Sequence, residues 1–381
     1  MNKEPNSDPR RTLAVLGGGG FVGARLTQLA ALSGQFKTVP VLRSYRGLAR
    51  LASVIGDACV TDTGSLEALS QALKGSHTVV NLTLGDQLRI VQDTQLIYAA
   101  CLKAGVSQLI HVSSAAVFGR VEDPSISDDS PPDTHSWMLY AREKAKAEGW
   151  LGAQLNKKPM RVVVLRPGLI WGPGARWSEM VGDQLLHGKA VLSNGGKGIA
   201  NLIFVGNLAR VILAVASRPQ GPSGFYNVAD KETVTWEHYY AGLAKRLGYR
   251  PQAVCLMPDN RLRIGVNHAV EWALEQAPFY WVATRIWKRL GTGPKAVLKA
   301  RLKGAPEPPR NQAEPGPPPK PSRGLWAVHN TLHQLPSTKV QRDFGPVELI
   351  SFNEALDTTA AWLKFAGFSA PASVAKLSQA A

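Results

Sequence analysis

Cysteine, acid and long apolar runs are all scarce in this chain. Its 381 residues include three cysteines, Cys59, Cys101 and Cys255, far apart and without metal-ligand spacing. That excludes a disulfide framework and a zinc site, so no metal is expected, and reduced thiols suit a cytoplasmic protein. No apolar run approaches the roughly 20 residues that span a bilayer. The stretch 1–11 is polar and charged, without the apolar core of a signal peptide. No internal repeat is evident. Acids number 28 against 44 lysines and arginines, a formal charge of +16. The shortage is sharpest at 285–303, which carries Arg285, Lys288, Arg289, Lys295, Lys299, Arg301 and Lys303 and no carboxylate. Such a balance attracts anions: nucleotide phosphates, acidic lipid or nucleic acid. No recognisable nucleic-acid module accompanies the charge, so no specific nucleic-acid partner is expected.

What is present has a clear rhythm. Residues 12–16 read as a short buried strand, 21–33 as a helix and 37–42 as a second strand. Further apolar runs at 78–82, 108–112 and 161–165 are separated by helical patterns around 88–104 and 140–155. This alternation predicts an α/β fold, a doubly wound parallel sheet with a smaller C-terminal substrate-binding lobe. The expected organisation is a polar tail at 1–11 and a dinucleotide-binding domain at 12–166. Residues 167–255 form mainly a substrate lobe, with segments returning to the sheet. A basic aromatic helical insert follows at 256–304, then a proline-rich linker at 305–324. The rest of the lobe occupies 325–368 and a tail 369–381. Within 167–255 the helices are expected at 208–217 and 235–248 and a strand at 224–229; a last helix is expected at 351–366.

Gly17, Gly20 and Gly23, with Phe21 and Val22 between the last two, lie between the first strand and the first helix. A strand turning sharply into a helix needs residues without a Cβ, and the helix N-terminus offers free N–H groups to a pyrophosphate. The end of the second strand holds Arg43, Ser44 and Arg46 and no carboxylate. An acid there would bond a ribose 2′-hydroxyl, whereas arginine accommodates a 2′-phosphate, so NADP is preferred over NAD. Solvated surface arginines are the bland alternative. Asp62 either flanks the adenine or serves as an acid near a helix N-cap.

Ser113-Ser114 closes the run at 108–112, where ligands bind in open α/β sheets. Tyr140-Ala-Arg-Glu-Lys144 then sets a phenol and an ammonium on one helical face. A nearby lysine cation is expected to lower the phenol's pKa. Tyr140 is the candidate general acid/base, Lys144 its electrostatic helper and Ser114 the group that orients substrate.

Together these residues resemble the extended short-chain dehydrogenase/reductase family, also called the NAD-dependent epimerase/dehydratase family. The resemblance rests on Gly17–Gly23, on His111-Val-Ser-Ser-Ala-Ala-Val-Phe-Gly119, on the Tyr140/Lys144 pair and on Leu165-Arg-Pro-Gly-Leu-Ile-Trp-Gly-Pro-Gly174. Its register favours Ser114 as the catalytic serine, and it implies cofactor contacts from Tyr140, Lys144 and Pro167. Phe225-Tyr-Asn-Val-Ala229 resembles a late strand of the substrate lobe. Phe118, Glu143 and Cys59 depart from the family pattern where tyrosine, serine and an adenine-side aspartate are common. Phe204-Val-Gly-Asn-Leu-Ala209, with His329 and Lys339-Val-Gln-Arg-Asp-Phe-Gly345 beyond a long insert, resembles the 3β-hydroxysteroid and sterol dehydrogenase branch. The implied activity is hydride transfer between a nicotinamide and a secondary alcohol or ketone, sterol-like or another small lipid. A nucleotide-sugar epimerase or dehydratase is the alternative, and a non-catalytic dinucleotide-binding protein the alternative of another class. A homodimer is compatible with the family.

The insert admits two readings. Residues 262–303 either form a lid with aromatics packed inward and charges solvated, or touch an anionic membrane peripherally.

Overall fold

The computed structural model describes residues 10–52, 57–119, 124–155, 157, 159–258, 272–289 and 321–371. The first half alternates as expected: β1 (Arg11–Leu16), α1 (Phe21–Ser33), β2 (Phe36–Leu42), β3 (Cys59–Val60), α2 (Leu66–Leu73), β4 (Thr78–Asn81), α3 (Ile90–Lys103), β5 (Gln108–Val112), α4 (Leu139–Gly152) and β6 (Arg161–Pro167). There follow β7 (Leu169–Trp171), α5 (Arg176–Leu186), β8 (Val191–Leu192), β9 (Leu202–Phe204), α6 (Val205–Ser217), β10 (Gly224–Val228), α7 (Trp236–Arg246) and β11 (Cys255–Leu256). Beyond these lie α8 (Ala277–Arg289), α9 (Arg323–His329), α10 (Thr338–Phe344) and α11 (Phe352–Phe365). Of the expected linker only its last residues are described, and of the insert and the two tails only parts.

Seven strands form one parallel sheet in the order β10-β6-β5-β4-β1-β2-β3. Alternate side chains of a strand face opposite ways, and here both faces are covered. Leu13 and Val15 of β1 pack with Leu26 and Ala30 of α1 and with Leu208 and Ile212 of α6. Ala14 and Leu16 pack on the other side with Leu69 and Leu73 of α2 and Ile97 of α3. Full burial of each such leucine contributes about 1.5–3 kcal/mol. That is why the strands read as unbroken apolar runs. Strand order reverses between β1 and β4, which opens a crevice at their C-terminal ends.

The segment read as a lobe strand at 224–229 is instead a strand of the main sheet. β10 pairs with β6, with Phe225 opposite Val164 and Tyr226 opposite Leu165. Tyr226 is fully buried against Phe344 of α10, their rings 5.1 Å apart. Packing on both sides of the strand holds it in the sheet.

A separate core joins 169–257 to the C-terminal helices. Trp171, Trp236, Tyr239 and Tyr240 pack with Phe352, Leu356 and Leu363 of α11. Asp230 ties this core to the sheet, accepting hydrogen bonds from Phe204 N (2.9 Å), Asn207 Nδ2 (2.7 Å) and Trp171 Nε1 (3.4 Å). Burial nevertheless pushes its carboxyl up to about 6. Asn207 also exchanges two hydrogen bonds with the backbone of Ile350. The Phe204–Ala209 motif therefore has a structural use.

Candidate active site

The crevice is a cleft of about 990 Å³ whose walls include Gly17, Gly19, Gly20, Phe21, Val22 and Gly23. This is the upper end of the range for small-molecule sites, roughly 300–1,000 Å³. Gly17 has φ +78°, the left-handed region that favours glycine. A Cβ at Gly23 would collide with the Gly17 carbonyl oxygen, and one at Gly19 would lie 2.6 Å from Gly47 Cα. The turn is thus a cradle that side chains would fill. α1 opens with no side-chain cap and no acid in its first turn, so its positive end is left for an anion. These features fit a dinucleotide pyrophosphate.

At the end of β2, Arg43, Ser44 and Gly47 line the cleft, while the exposed Arg46 does not. Asp62, Thr63 and Gly64 line it from the loop after β3. Asp62 Oδ1 also accepts the Gly64 N–H at 2.9 Å, and the cap of α2 is Ser65. The N-cap role therefore falls to Ser65, and Asp62 faces the cleft. Half-buried Cys59 packs beside the apolar cluster behind the sheet.

Tyr140 and Lys144, one turn apart on α4, both line the cleft, as does Ser113. Ser114 is not on the cleft wall; as a hydrogen-bonding group near the Tyr140 phenol it favours the phenolate, without outweighing burial. Its Oγ also accepts the Ala116 N–H at 3.2 Å, which fixes the hydroxyl. Lys144 is 4 % exposed, and its Nζ donates to the Val112 carbonyl at 3.1 Å. Burial lowers the ammonium to about 8, opposed by the Glu148 carboxylate. Burial also raises the Tyr140 phenol, against the expectation that the lysine lowers it. Desolvation disfavours both charged forms, and the Glu148 carboxylate adds to the rise at Tyr140 while opposing the fall at Lys144. Behind them, Asn81 Nδ2 donates to His111 Nδ1 at 3.0 Å, which leaves the His111 proton on Nε2. Burial, then the Lys144 charge, holds His111 well below its usual range.

Beneath α4 lies a buried ion pair. Glu148 Oε2 accepts from Arg166 Nε at 2.9 Å and from its NH2 nitrogen at 2.8 Å. A third guanidinium N–H goes to the Asp128 carbonyl at 2.8 Å. The guanidinium lies between the rings of Phe118 (4.8 Å) and Phe225 (4.6 Å). Phe118 serves as an aromatic face there, for which no hydroxyl is needed. Glu143 pairs outward with Lys146 at 2.7 Å.

Tyr280 and Thr284 of α8 complete the cleft wall. The approach to α8 is tied to α4, which carries Tyr140 and Lys144: Glu275 Oε2 accepts the Leu139 N–H at 2.5 Å, and Arg142 donates to the Glu275 carbonyl at 3.2 Å. The aromatics of this region are not packed inward as a lid would have them. Trp272, Phe279 and Trp281 are exposed, and only Tyr280 and Trp287 are half-buried.

Of the residues singled out from the sequence, the glycines, Phe21, Val22, Arg43, Asp62, Tyr140 and Lys144 meet in one cleft. Ser114, Arg46 and Pro167 are not on its wall, where Ser113 stands instead of Ser114. Pro167 ends β6 opposite Val228, and Ile170 three residues later takes the wall position. Sequence reasoning missed the loop after β4, where Leu82, Thr83, Leu84, Gly85 and Asp86 line the cleft. Its position at a strand's C-terminal end was the available signal. Tyr280 and Thr284 had none.

The model of the 3-beta hydroxysteroid dehydrogenase/isomerase family matches residues 14–258. The chain is 28% identical over 247 residues to an N-acetyl-alpha-D-glucosaminyl-diphospho-ditrans,octacis-undecaprenol 4-epimerase of Escherichia coli O157:H7, covering 61% of this chain and 71% of that protein. Among solved structures, it resembles dTDP-glucose 4,6-dehydratase from Bacillus anthracis in complex with NAD, at 15% identity and TM-score 0.67, covering 94% of this chain and 98% of the other. It also resembles UDP-glucuronic acid 4-epimerase from Bacillus cereus in complex with UDP-glucuronic acid and NAD, at 14% identity and TM-score 0.63, covering 93% and 99%. At such identities the likeness is one of fold. Among the described residues no helix is long and apolar enough to cross a membrane.

Proposed function

The chain belongs to the 3-beta hydroxysteroid dehydrogenase/isomerase family, within the extended short-chain dehydrogenases, and is an enzyme of that NAD(P)-dependent type; from this premise we propose that it epimerises or dehydrates a sugar carried on a diphosphate. The observation that carries the reading is Tyr140 and Lys144 together on the wall of a cleft, with Ser114 near the phenol, in a chain similar to a glycosyl-diphosphate 4-epimerase. The chain's excess of positive charge suits a diphosphate-bearing substrate.

Gly17 to Gly23 would hold the cofactor's pyrophosphate, and Arg43 with Asp62 its adenosine end. When bound, the nicotinamide supplies hydride transfer to and from a ring carbon. Tyr140 Oη takes the proton of the sugar hydroxyl and returns it to the ketone oxygen. Ser114 holds that oxygen and the phenol together. The Lys144 ammonium stabilises the phenolate while the proton is away. A reaction closed in this way consumes no cofactor. For the cofactor itself, NADP remains our preference on the strength of Arg43 and the lack of a carboxylate at the end of β2. NAD, named with the two solved relatives, is the competing form.

The second reading, oxidation of a sterol-like secondary alcohol, has in its favour the family model's name. Within the Phe204–Ala209 motif Asn207 is spent on Asp230 and Ile350, and none of the motif's residues lines the cleft, so the motif adds no substrate contact to this reading.

The deciding experiment incubates the protein with UDP- and dTDP-linked sugars and follows ring protons by NMR and cofactor absorbance together. Redox-neutral conversion, reduced about 10²–10⁴-fold in Tyr140→Phe with cofactor binding kept, supports the proposal. Net cofactor reduction by a hydroxysteroid, with all the sugars inert, overturns it.

A further inference from the structure

α8 presents two faces of unlike chemistry. Tyr280 and Thr284 turn to the cleft. Phe279, Val282 and Ile286, spaced three and four apart, fall on one stripe that points away from it. These three side chains are 55%, 46% and 57% exposed. Arg289 and Arg285 flank the stripe, with Arg285 stacked on the exposed Trp281 at 4.0 Å from its ring. Just upstream, Trp272 and Leu274 are exposed as well. A helix that only closes a lobe turns its apolar residues inward, and this one turns them out.

We propose that this face of α8 seats on an anionic lipid surface, and that the sugar diphosphate reaches the cleft on a lipid carrier held in that surface. Charge complementarity selects the occupant. α8 holds no Asp or Glu, and the sequence running on from it adds Lys295, Lys299, Arg301 and Lys303, again without an acid. An apolar stripe flanked by arginine and tryptophan is the pattern of a helix lying in a bilayer interface. A second copy of this face would instead bring arginine against arginine. Because the opposite face of the same helix is cleft wall, docking sets the mouth of the cleft at headgroup level. The carrier half of the proposal rests on the sugar-diphosphate reading, and the docking half does not.

The full chain is sedimented with phosphatidylcholine vesicles with and without phosphatidylglycerol. The same is done for a Phe279→Asp/Ile286→Asp variant and an Arg285→Gln/Arg289→Gln variant. The expected result is binding to the anionic vesicles alone, weakened by salt and reduced about tenfold or more in each variant. Melting, cofactor titration and turnover of soluble sugar nucleotides should be unchanged. Turnover of a polyprenyl diphosphate sugar embedded in the vesicles should fall with the binding. Absence of binding to anionic vesicles, or equal binding by intact and variant chains, overturns the docking. A self-associating chain made monomeric by Phe279→Asp/Ile286→Asp, without vesicle binding, assigns the face to a second copy and also overturns it. Docking with no turnover of any sugar diphosphate overturns the carrier half and leaves the docking standing.

Discussion

The Glu275 carboxylate accepts the backbone N–H of Leu139 at 2.5 Å across 136 positions of sequence. Leu139 is the first residue of α4, and the N-cap residue Met138 makes no side-chain cap. A residue from the insert region therefore caps the helix that carries Tyr140 and Lys144, and its negative charge sits at the positive helix end. Glu275→Ala should cost about 1 kcal/mol by denaturant titration. It should lower turnover more than cofactor affinity, because Tyr140 is the next residue. An unchanged turnover number would separate the insert from the chemistry on α4.

Arg43 and Arg46 stand three residues apart, yet only Arg43 lines the cleft. Arg43→Ala should weaken NADPH by about tenfold or more, the scale of a charged hydrogen bond, and leave NADH nearly unaffected. Arg46→Ala should change neither. Paired fluorescence titrations measure both. Equal loss for the two cofactors in Arg43→Ala would remove the basis for preferring NADP.

Glu148 serves two cations, holding Arg166 at 2.8 Å and raising the pKa of Lys144 against its burial. Glu148→Gln leaves the Arg166 guanidinium buried and short of its anion, a loss of about 3–5 kcal/mol. The neutral side chain also lets Lys144 fall below about 8. The alkaline limb of the rate profile should then move to lower pH. Glu148→Gln/Arg166→Met should recover much of the stability and keep the shifted limb. Chemical denaturation and a pH–rate series on the three proteins separate the two effects.

His329 is fully buried against Trp236, with ring centroids 4.9 Å apart, and neither ring nitrogen has a partner among the described residues. Burial lowers it to about 4 from the ordinary 6.5. The unfolded chain therefore binds the extra proton first as pH falls. Stability tied to His329 is present above pH 6.5 and is lost between 6.5 and about 4, on the order of 3 kcal/mol. His329→Phe should flatten the fall in melting temperature over that window. The slope that remains is a sum: His111 and His77, both lowered, add to the fall, while the raised carboxyls of Asp230 and Asp128 oppose it. An unaltered slope in the variant would show that His329 does not titrate on unfolding.

Much of the N-terminal half was legible as sequence because its signals are local. The apolar runs of β1, β4, β5 and β6 are strands buried on both faces. Gly17 adopts a left-handed φ, and Gly23 occupies a position where a Cβ has no room. Tyr140 and Lys144 share a helix face by spacing alone. The residues that went astray did so where neighbours distant in sequence decide. Pro167 lies inside a resembling motif, yet Ile170 and not Pro167 stands on the cleft wall. The strand at 224–229 was visible as a strand, while its place in the main sheet depended on packing against Phe344.

The sequence by itself determined the strand–helix order, the glycine turn and the one-turn spacing of Tyr140 and Lys144, since each follows from steric and periodic rules within a few residues. The tertiary structure alone decided that Arg43 and not Arg46 reaches the cleft, and that Glu275 caps α4. It also decided that α8 turns apolar side chains to solvent and that burial raises Tyr140 while lowering Lys144. Solvent exclusion and distance govern all of these, and both are properties of chain segments brought together by folding.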